Sequence, residues 1–158
     1  MRSIFFLIIA ASFLLIGCTN NGNGNNLVTY DNSELASDLE KEGVEPKLPT
    51  NFPISITKYE ILKPQHESTR HETKITGEND EIFTLVVHSS PVTYEEELEN
   101  QEEVKINGNE GFYAVNEITG PSVHWKDGDY HYILEYQTIE LDTEINKETM
   151  ISIAESFE

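Results

Sequence analysis

The chain has 158 residues, with 29 Asp and Glu against 10 Lys and Arg and a formal charge of −19. That length suits one domain plus a leader. The acidity argues against nucleic acid, whose phosphates demand a basic footprint, and against electrostatic adhesion to anionic lipid. A solvated acidic surface that keeps the protein soluble is the plain reading of the charge, with cationic partners or diffuse divalent ions the alternative.

The chain opens Met1-Arg2-Ser3 and then runs uncharged from Ile4 to Ile16, the n-region and h-region of an export signal. Thirteen residues at a helical rise of ~1.5 Å span about 20 Å, short of a hydrocarbon core of about 30 Å. A cleaved leader is therefore expected rather than a spanning helix.

Leu15-Ile16-Gly17-Cys18 follows and resembles the lipobox of bacterial lipoproteins. In such a box the small residue before the cut admits the backbone to a peptidase site, and the thiol accepts a diacylglyceryl group. The resemblance implies cleavage before Cys18, lipidation of Cys18 with palmitate-type chains, and anchoring on the extracytoplasmic face of the cell membrane. One acyl chain holds a protein only marginally, at ~0.8 kcal/mol per buried methylene, whereas two hold it durably. Cys18 is the sole cysteine, so it has no intramolecular disulfide partner. An ordinary signal peptide with a chance cysteine is the competing reading. The expected organisation is a signal peptide over 1–17, a lipidated tether over 18–32 and one extracytoplasmic domain over 33–158. Losing the signal leaves 141 residues and a formal charge of −20.

The segment Thr19 to Asn26, TNNGNGNN, has spacer composition, and eight such residues reach roughly 15 Å. Ser33 is a candidate cap for a short helix through Leu39, with Glu34 in its first turn and Gly43 near its end. Pro46, Pro49 and Pro53 then impose an extended stretch, PKLPTNFP.

Strands are expected next. Ile54 to Leu62 mixes Ile, Tyr and Thr, and Ser68 to Thr76 is polar enough for a sheet edge. Glu81 to Ser89 alternates, with Phe83, Leu85 and Val87 on one face. Tyr94 to Glu103, YEEELENQEE, reads as a solvated helix or a loop. Val104 to Ile106 and Gly111 to Thr119 form a hairpin about Asn107-Gly108-Asn109. Ser122 to Lys126 and Tyr130 to Ile139 form another, joined at Asp127-Gly128. In it Tyr130, Tyr132, Leu134 and Tyr136 share one face, as do Val123 and Trp125. A last helix runs from about Asn146, its cap, to Phe157, with Met150, Ile153, Ala154 and Phe157 on one stripe. The fold class is α+β: an antiparallel sheet of about five to seven strands with the C-terminal helix and the short N-terminal helix packed on it.

The stretch KINGNEGFYAVNEITGPSVHWKDGDYHYIL from Lys105, then INKETMISIAESFE, is similar to an uncharacterised extracytoplasmic domain. That domain occurs in Gram-positive lipoproteins and in the outer parts of some anti-sigma and sporulation regulators. The marks are the strand ending in Trp125, the Lys126-Asp127-Gly128 turn, the Tyr-rich return strand and the Ile-Ala-Glu-Ser helix, with PKLPTNFP upstream. The resemblance implies a fold and an accessory or regulatory role, with no catalytic chemistry to carry over.

Tests for chemistry add nothing to this. Ser89 and Ser90 follow His88, but there is no Gly-x-Ser-x-Gly elbow, and neighbours in a strand point to opposite faces. His66, His71, His88, His124 and His131 match no zinc spacing, and His66 and His71 are expected to face solvent. Asp127-Gly128-Asp129 lacks the remaining ligands of a calcium loop and reads as a turn. The tyrosines and Trp125 suit a core, or a groove if several are exposed together. Neither a cofactor nor a metal is called for. The expected function is a non-enzymatic, lipid-anchored domain that binds an envelope protein or a small ligand. Two alternatives stand: a cell-envelope hydrolase working through paired carboxylates, and a carrier of an apolar ligand or lipid.

Overall fold

The structure, a computed structural model, describes residues 27–63, 68–93, 100–137 and 145–158. The elements are β1 (Val28–Thr29), α1 (Ser33–Lys41), β2 (Asn51–Phe52), β3 (Ile56–Leu62), β4 (Arg70–Gly77), β5 (Ile82–His88), β6 (Glu102–Ile106), β7 (Asn109–Asn116), β8 (Gly120–Asp127), β9 (Tyr130–Gln137) and α2 (Lys147–Glu155). Seven strands form one antiparallel sheet in the order β3-β4-β5-β9-β8-β7-β6, and β1 pairs with β2 in a separate ribbon. The fold is thus α+β, as the element pattern indicated. The sheet consists of two meanders, β3 to β5 and β6 to β9, whose last strands pair side by side.

Turn chemistry fixes the second meander. Asn107 and Gly108 both take positive φ, 50° and 86°, between the paired residues Ile106 and Asn109. That is the backbone of a type I′ hairpin turn. Between β7 and β8, Asn116 Oδ1 accepts from the N–H groups of Ile118 and Thr119 at 2.8 and 3.1 Å, and Gly120 follows at φ 85°. The turn before β9 lies one residue later than the sequence suggested. Asp127 still pairs with Tyr130, so Gly128 at φ 60° and Asp129 make the corner.

Period-two alternation sends one set of side chains to a common core: Ile75, Phe83, Leu85, Val87, Val123, Trp125, Tyr132, Leu134 and Tyr136. The same cluster takes Leu35 and Leu39 from α1 and Met150, Ile153 and Ala154 from α2, so both helices lie on this side. Each buried side chain of this size contributes about 1.5–3 kcal/mol. Trp125 is 2% exposed, stacked on Tyr132 at 5.0 Å and 10°, with Phe157 edge-on to it at 5.0 Å. The aromatic residues belong to the core. Two tyrosine hydroxyls also peg the proline-rich stretch, since the N–H groups of Glu45 and Lys47 donate to the oxygens of Tyr130 and Tyr132 at 3.1 and 3.0 Å. The chain end closes over this stretch, with Leu48 and Glu158 exchanging backbone bonds at 3.1 Å.

Three local expectations change. β4 is not an edge, because it pairs with β3 on one side and β5 on the other. Its polar residues Glu72 and Lys74 point away from the helices while Thr73 and Ile75 are buried. Ser33 is the first helical residue of α1 and not its cap; Asn32 holds that position, its amide donating to the carbonyls of Leu48 and Pro49 at 3.3 and 3.1 Å. Pairing also reaches upstream of Ser33, since Val28 and Thr29 meet Phe52 and Asn51. The C-terminus of α1 is a Schellman motif: Val44 N–H donates to Leu39 O and Gly43 N–H to Glu40 O, with Gly43 at φ 84°. In α2, Asn146 is the cap, its Oδ1 accepting from Thr149 N–H at 2.8 Å and Thr149 Oγ1 at 2.7 Å.

Candidate functional site

The residues of opposite parity form the far face of the sheet, away from α1 and α2. Reading the register across it gives ordered rows. One row runs Glu72, Val86, Ile133, His124, Phe112, Glu103. The next runs Arg70, His88, His131, Lys126. A third carries Thr84, Glu135, Ser122 and Ala114. His88 of the first meander and His131 of the second thus become neighbours only because β5 and β9 pair.

The rings are close. His88 and His131 have centroids 6.4 Å apart in an edge-on arrangement. Phe112 and His124 stack at 4.4 Å and 14°, and His124 Nε2 and Ser122 Oγ share a hydrogen bond at 2.9 Å. Beside them lies a groove of ≈ 630 Å³, lined by Phe112, His124, His131, Lys105, Lys126 and Glu103 among others. That volume falls within the usual range for small-molecule sites, roughly 300–1,000 Å³.

Burial sets the electrostatics. His124 is 4% exposed, and its imidazole is pushed down to about 4, first by desolvation and then by His131. Burial also lowers His131, with His88 and Lys126 adding to the effect. His88 is lowered by burial, then by Arg70 and His71. The Glu135 carboxyl is raised by burial and by Glu72, with Arg70 opposing. At neutral pH the imidazoles are therefore neutral donor–acceptor groups between two fixed cations.

The other residues weighed for chemistry are dispersed. His71 is half-buried on the helix side opposite Val87 rather than facing solvent, because its strand is interior. His66 and Cys18 lie outside the described residues. Ser89 and Ser90 turn to Thr69, through the Ser89 N–H to its carbonyl at 2.9 Å and a hydroxyl pair at 2.7 Å, while His88 faces His131. Asp127 takes Lys47 Nζ at 2.7 Å. Among the described residues no three His, Cys, Asp or Glu side chains converge as a metal site would require. No described helix is long and apolar enough to cross a membrane. A second concavity, ≈ 520 Å³, lies between α1 and β3 and is lined by Tyr30, Asp31, Glu34, Asp38 and Tyr59. There the Tyr59 hydroxyl donates to Asp38 Oδ2 at 2.9 Å and is pushed up to about 12, by burial first and then by that bond.

The far-face cluster was not singled out from the sequence. Its parity was readable, since 83/85/87, 123/125 and 130/132/134/136 mark the core side and leave His88, His124 and His131 opposite. The missing step was the β5–β9 pairing, which no local signal announces. No model of a known protein family, no curated protein and no solved structure matches the chain.

Proposed function

We propose that the protein is a non-enzymatic, lipid-anchored extracytoplasmic binding domain, held at the cell membrane through Cys18 and presenting the far face of its sheet to an envelope protein or a small ligand. The observation that carries the reading is the asymmetry of the sheet. One side is filled by both helices and the large aromatics, while the other carries a groove lined by rings, imidazoles, the amines of Lys105 and Lys126 and the carboxylates of Glu103 and Glu110. Packed Phe52, Phe83, Leu134 and Met150 occupy the interior between sheet and helices, which favours binding on the far face over carriage of lipid inside. The lipobox-like Leu15-Ile16-Gly17-Cys18 and the resemblance to an accessory domain of lipoproteins support the address and the role.

The test is position-resolved photocrosslinking in the native membrane. A photoreactive residue at Thr84 or Glu103, on the far face, is expected to give one adduct of defined mass. The same residue at Ala36 or Ser37, exposed on α1, is expected to give none. Equal adducts from α1, or adducts from α1 alone, would move the interface off the far face.

A further inference from the structure

We propose that the outer edge of β6 docks a second copy of this chain, the two β6 strands pairing antiparallel about Val104 so that the sheet continues across a two-fold axis. The contact uses the sheet edge and goes beyond the far-face reading above.

β6 ends the strand order of the sheet and pairs with β7 alone among the described residues. The two-residue Asn107-Gly108 turn makes Ile106 and Asn109 a hydrogen-bonded pair. Bonding alternates along an antiparallel ladder, so Val104 and Glu102 also bond β7, while Glu103 and Lys105 aim their backbone N–H and C=O groups outward. Such a row is a template for another strand. The opposite edge is blunted. β3 breaks register between Ile56 and Lys58, and the Thr57 hydroxyl there donates to the carbonyls of Thr76 and Gly77 at 3.1 and 3.2 Å. β6 keeps an unbroken register and contains no proline.

Charge selects the occupant. β6 reads Glu-Glu-Val-Lys-Ile, with Glu103 and Lys105 exposed on one face and neither in an ion pair among the described residues. Pairing centred on Val104 sets Glu103 opposite Lys105 of the second copy, and Lys105 opposite its Glu103. These are the residues with outward backbone groups, so charge match and hydrogen-bond phase agree in one register. Moving the centre to Glu103 or to Lys105 puts like charges face to face, as does parallel pairing in register.

The match extends a row already present within the chain. Lys105 stands opposite Glu110, and continuing the β7–β8 register by one residue sets Glu110 opposite Lys126. Lys126, Glu110, Lys105 and Glu103 of the second copy therefore alternate in sign across neighbouring strands. On the helix side, Glu102 is met within its own chain by Lys147 Nζ at 2.6 Å. Neither β6 carboxylate thus enters the contact without an amine, which matters between copies of formal charge −19 each.

The experiment uses the full chain in detergent micelles at about 0.15 M salt, where the Debye length is about 8 Å and repulsion between the copies is largely screened. Val104 meets its own equivalent in a non-hydrogen-bonded pair with Cα atoms about 4.5 Å apart, inside the span of a disulfide, about 4.4–6.8 Å. On mild oxidation Val104→Cys is expected to give a reducible species of twice the chain mass, well above the background set by Cys18 in the parent chain. Glu103→Cys lies two residues out of phase with its own equivalent and is expected to give background alone, whereas a mixture of Glu103→Cys and Lys105→Cys chains is expected to crosslink. Adding Lys105→Glu to Val104→Cys creates like-charge pairs and is expected to lower the yield about tenfold; adding Glu103→Lys as well restores opposite pairs and the yield. Unchanged Trp125 fluorescence in each variant is the evidence of folding. Background yield from Val104→Cys, equal yields from Val104→Cys and Glu103→Cys, or a yield insensitive to Lys105→Glu overturns the proposal. In the membrane crosslinking above, an adduct of twice the chain mass from Glu103 reports this contact while an adduct from Thr84 reports the far face, so either reading can fail alone.

Discussion

His124 gives the sharpest energetic consequence. Its imidazole is 4% exposed, stacked on Phe112, and titrates at about 4 in the folded protein against an ordinary 6.5. Above pH 6.5 both folded and unfolded chains hold the ring neutral, and the group costs nothing. As pH falls from 6.5 toward 4, the unfolded chain binds a proton that the folded protein excludes, so stability falls with it. At about 1.4 kcal/mol per unit the full loss is about 3 kcal/mol, reached once pH passes below the folded value. His88 and His131 are depressed too and act in the same direction. Glu135 opposes them: its raised carboxyl keeps a proton when folded at pH values where the unfolded chain has lost it, so folding gains as pH falls. Urea unfolding of the full chain reads the balance through Trp125, the single tryptophan, which is buried against Tyr132 and Phe157. His124→Phe keeps an aromatic ring against Phe112 and removes the titration. Its stability is expected to fall less than that of the parent between pH 7 and 4, by about 3 kcal/mol. Parallel stability curves for the two proteins would refute the assignment of a buried, proton-excluding His124.

Two further outcomes concern the frame that holds the far face. Gly111→Ala would place a Cβ 2.4 Å from the backbone oxygen of His124 and 3.0 Å from Trp125 Cβ. Because β8 is held on both sides, a loss of about 2–3 kcal/mol is expected in the same urea assay. Asn146→Ala removes the acceptor for Thr149 N–H and Oγ1 and is expected to cost about 1 kcal/mol in that assay.

The strands that alternate cleanly were legible from the sequence because one face is packed and the other is not. Phe83, Leu85 and Val87, and Tyr132, Leu134 and Tyr136, declare their parity unaided. The Asn107-Gly108 corner and the Asn146 cap were readable for similarly local reasons. β4 misled because its polar residues Arg70, Glu72 and Lys74 suggested an edge, whereas they occupy the less covered face of an interior strand. Val86, 1% exposed on that same face, shows that it is far from uniformly wet. The site itself was illegible because it depends on long-range pairing. His88 on β5 and His131 on β9 are 43 positions apart in the chain and meet only through the join of the two meanders.

The central claim, a binding domain tethered through Cys18, is tested most directly by mass spectrometry of the N-terminal peptide of the protein recovered from its native membrane. The expected result is a chain beginning at Cys18 and carrying a diacylglyceryl group, with Cys18→Ser giving unprocessed or released protein. An intact Met1, or cleavage elsewhere with a free Cys18 thiol, would contradict it.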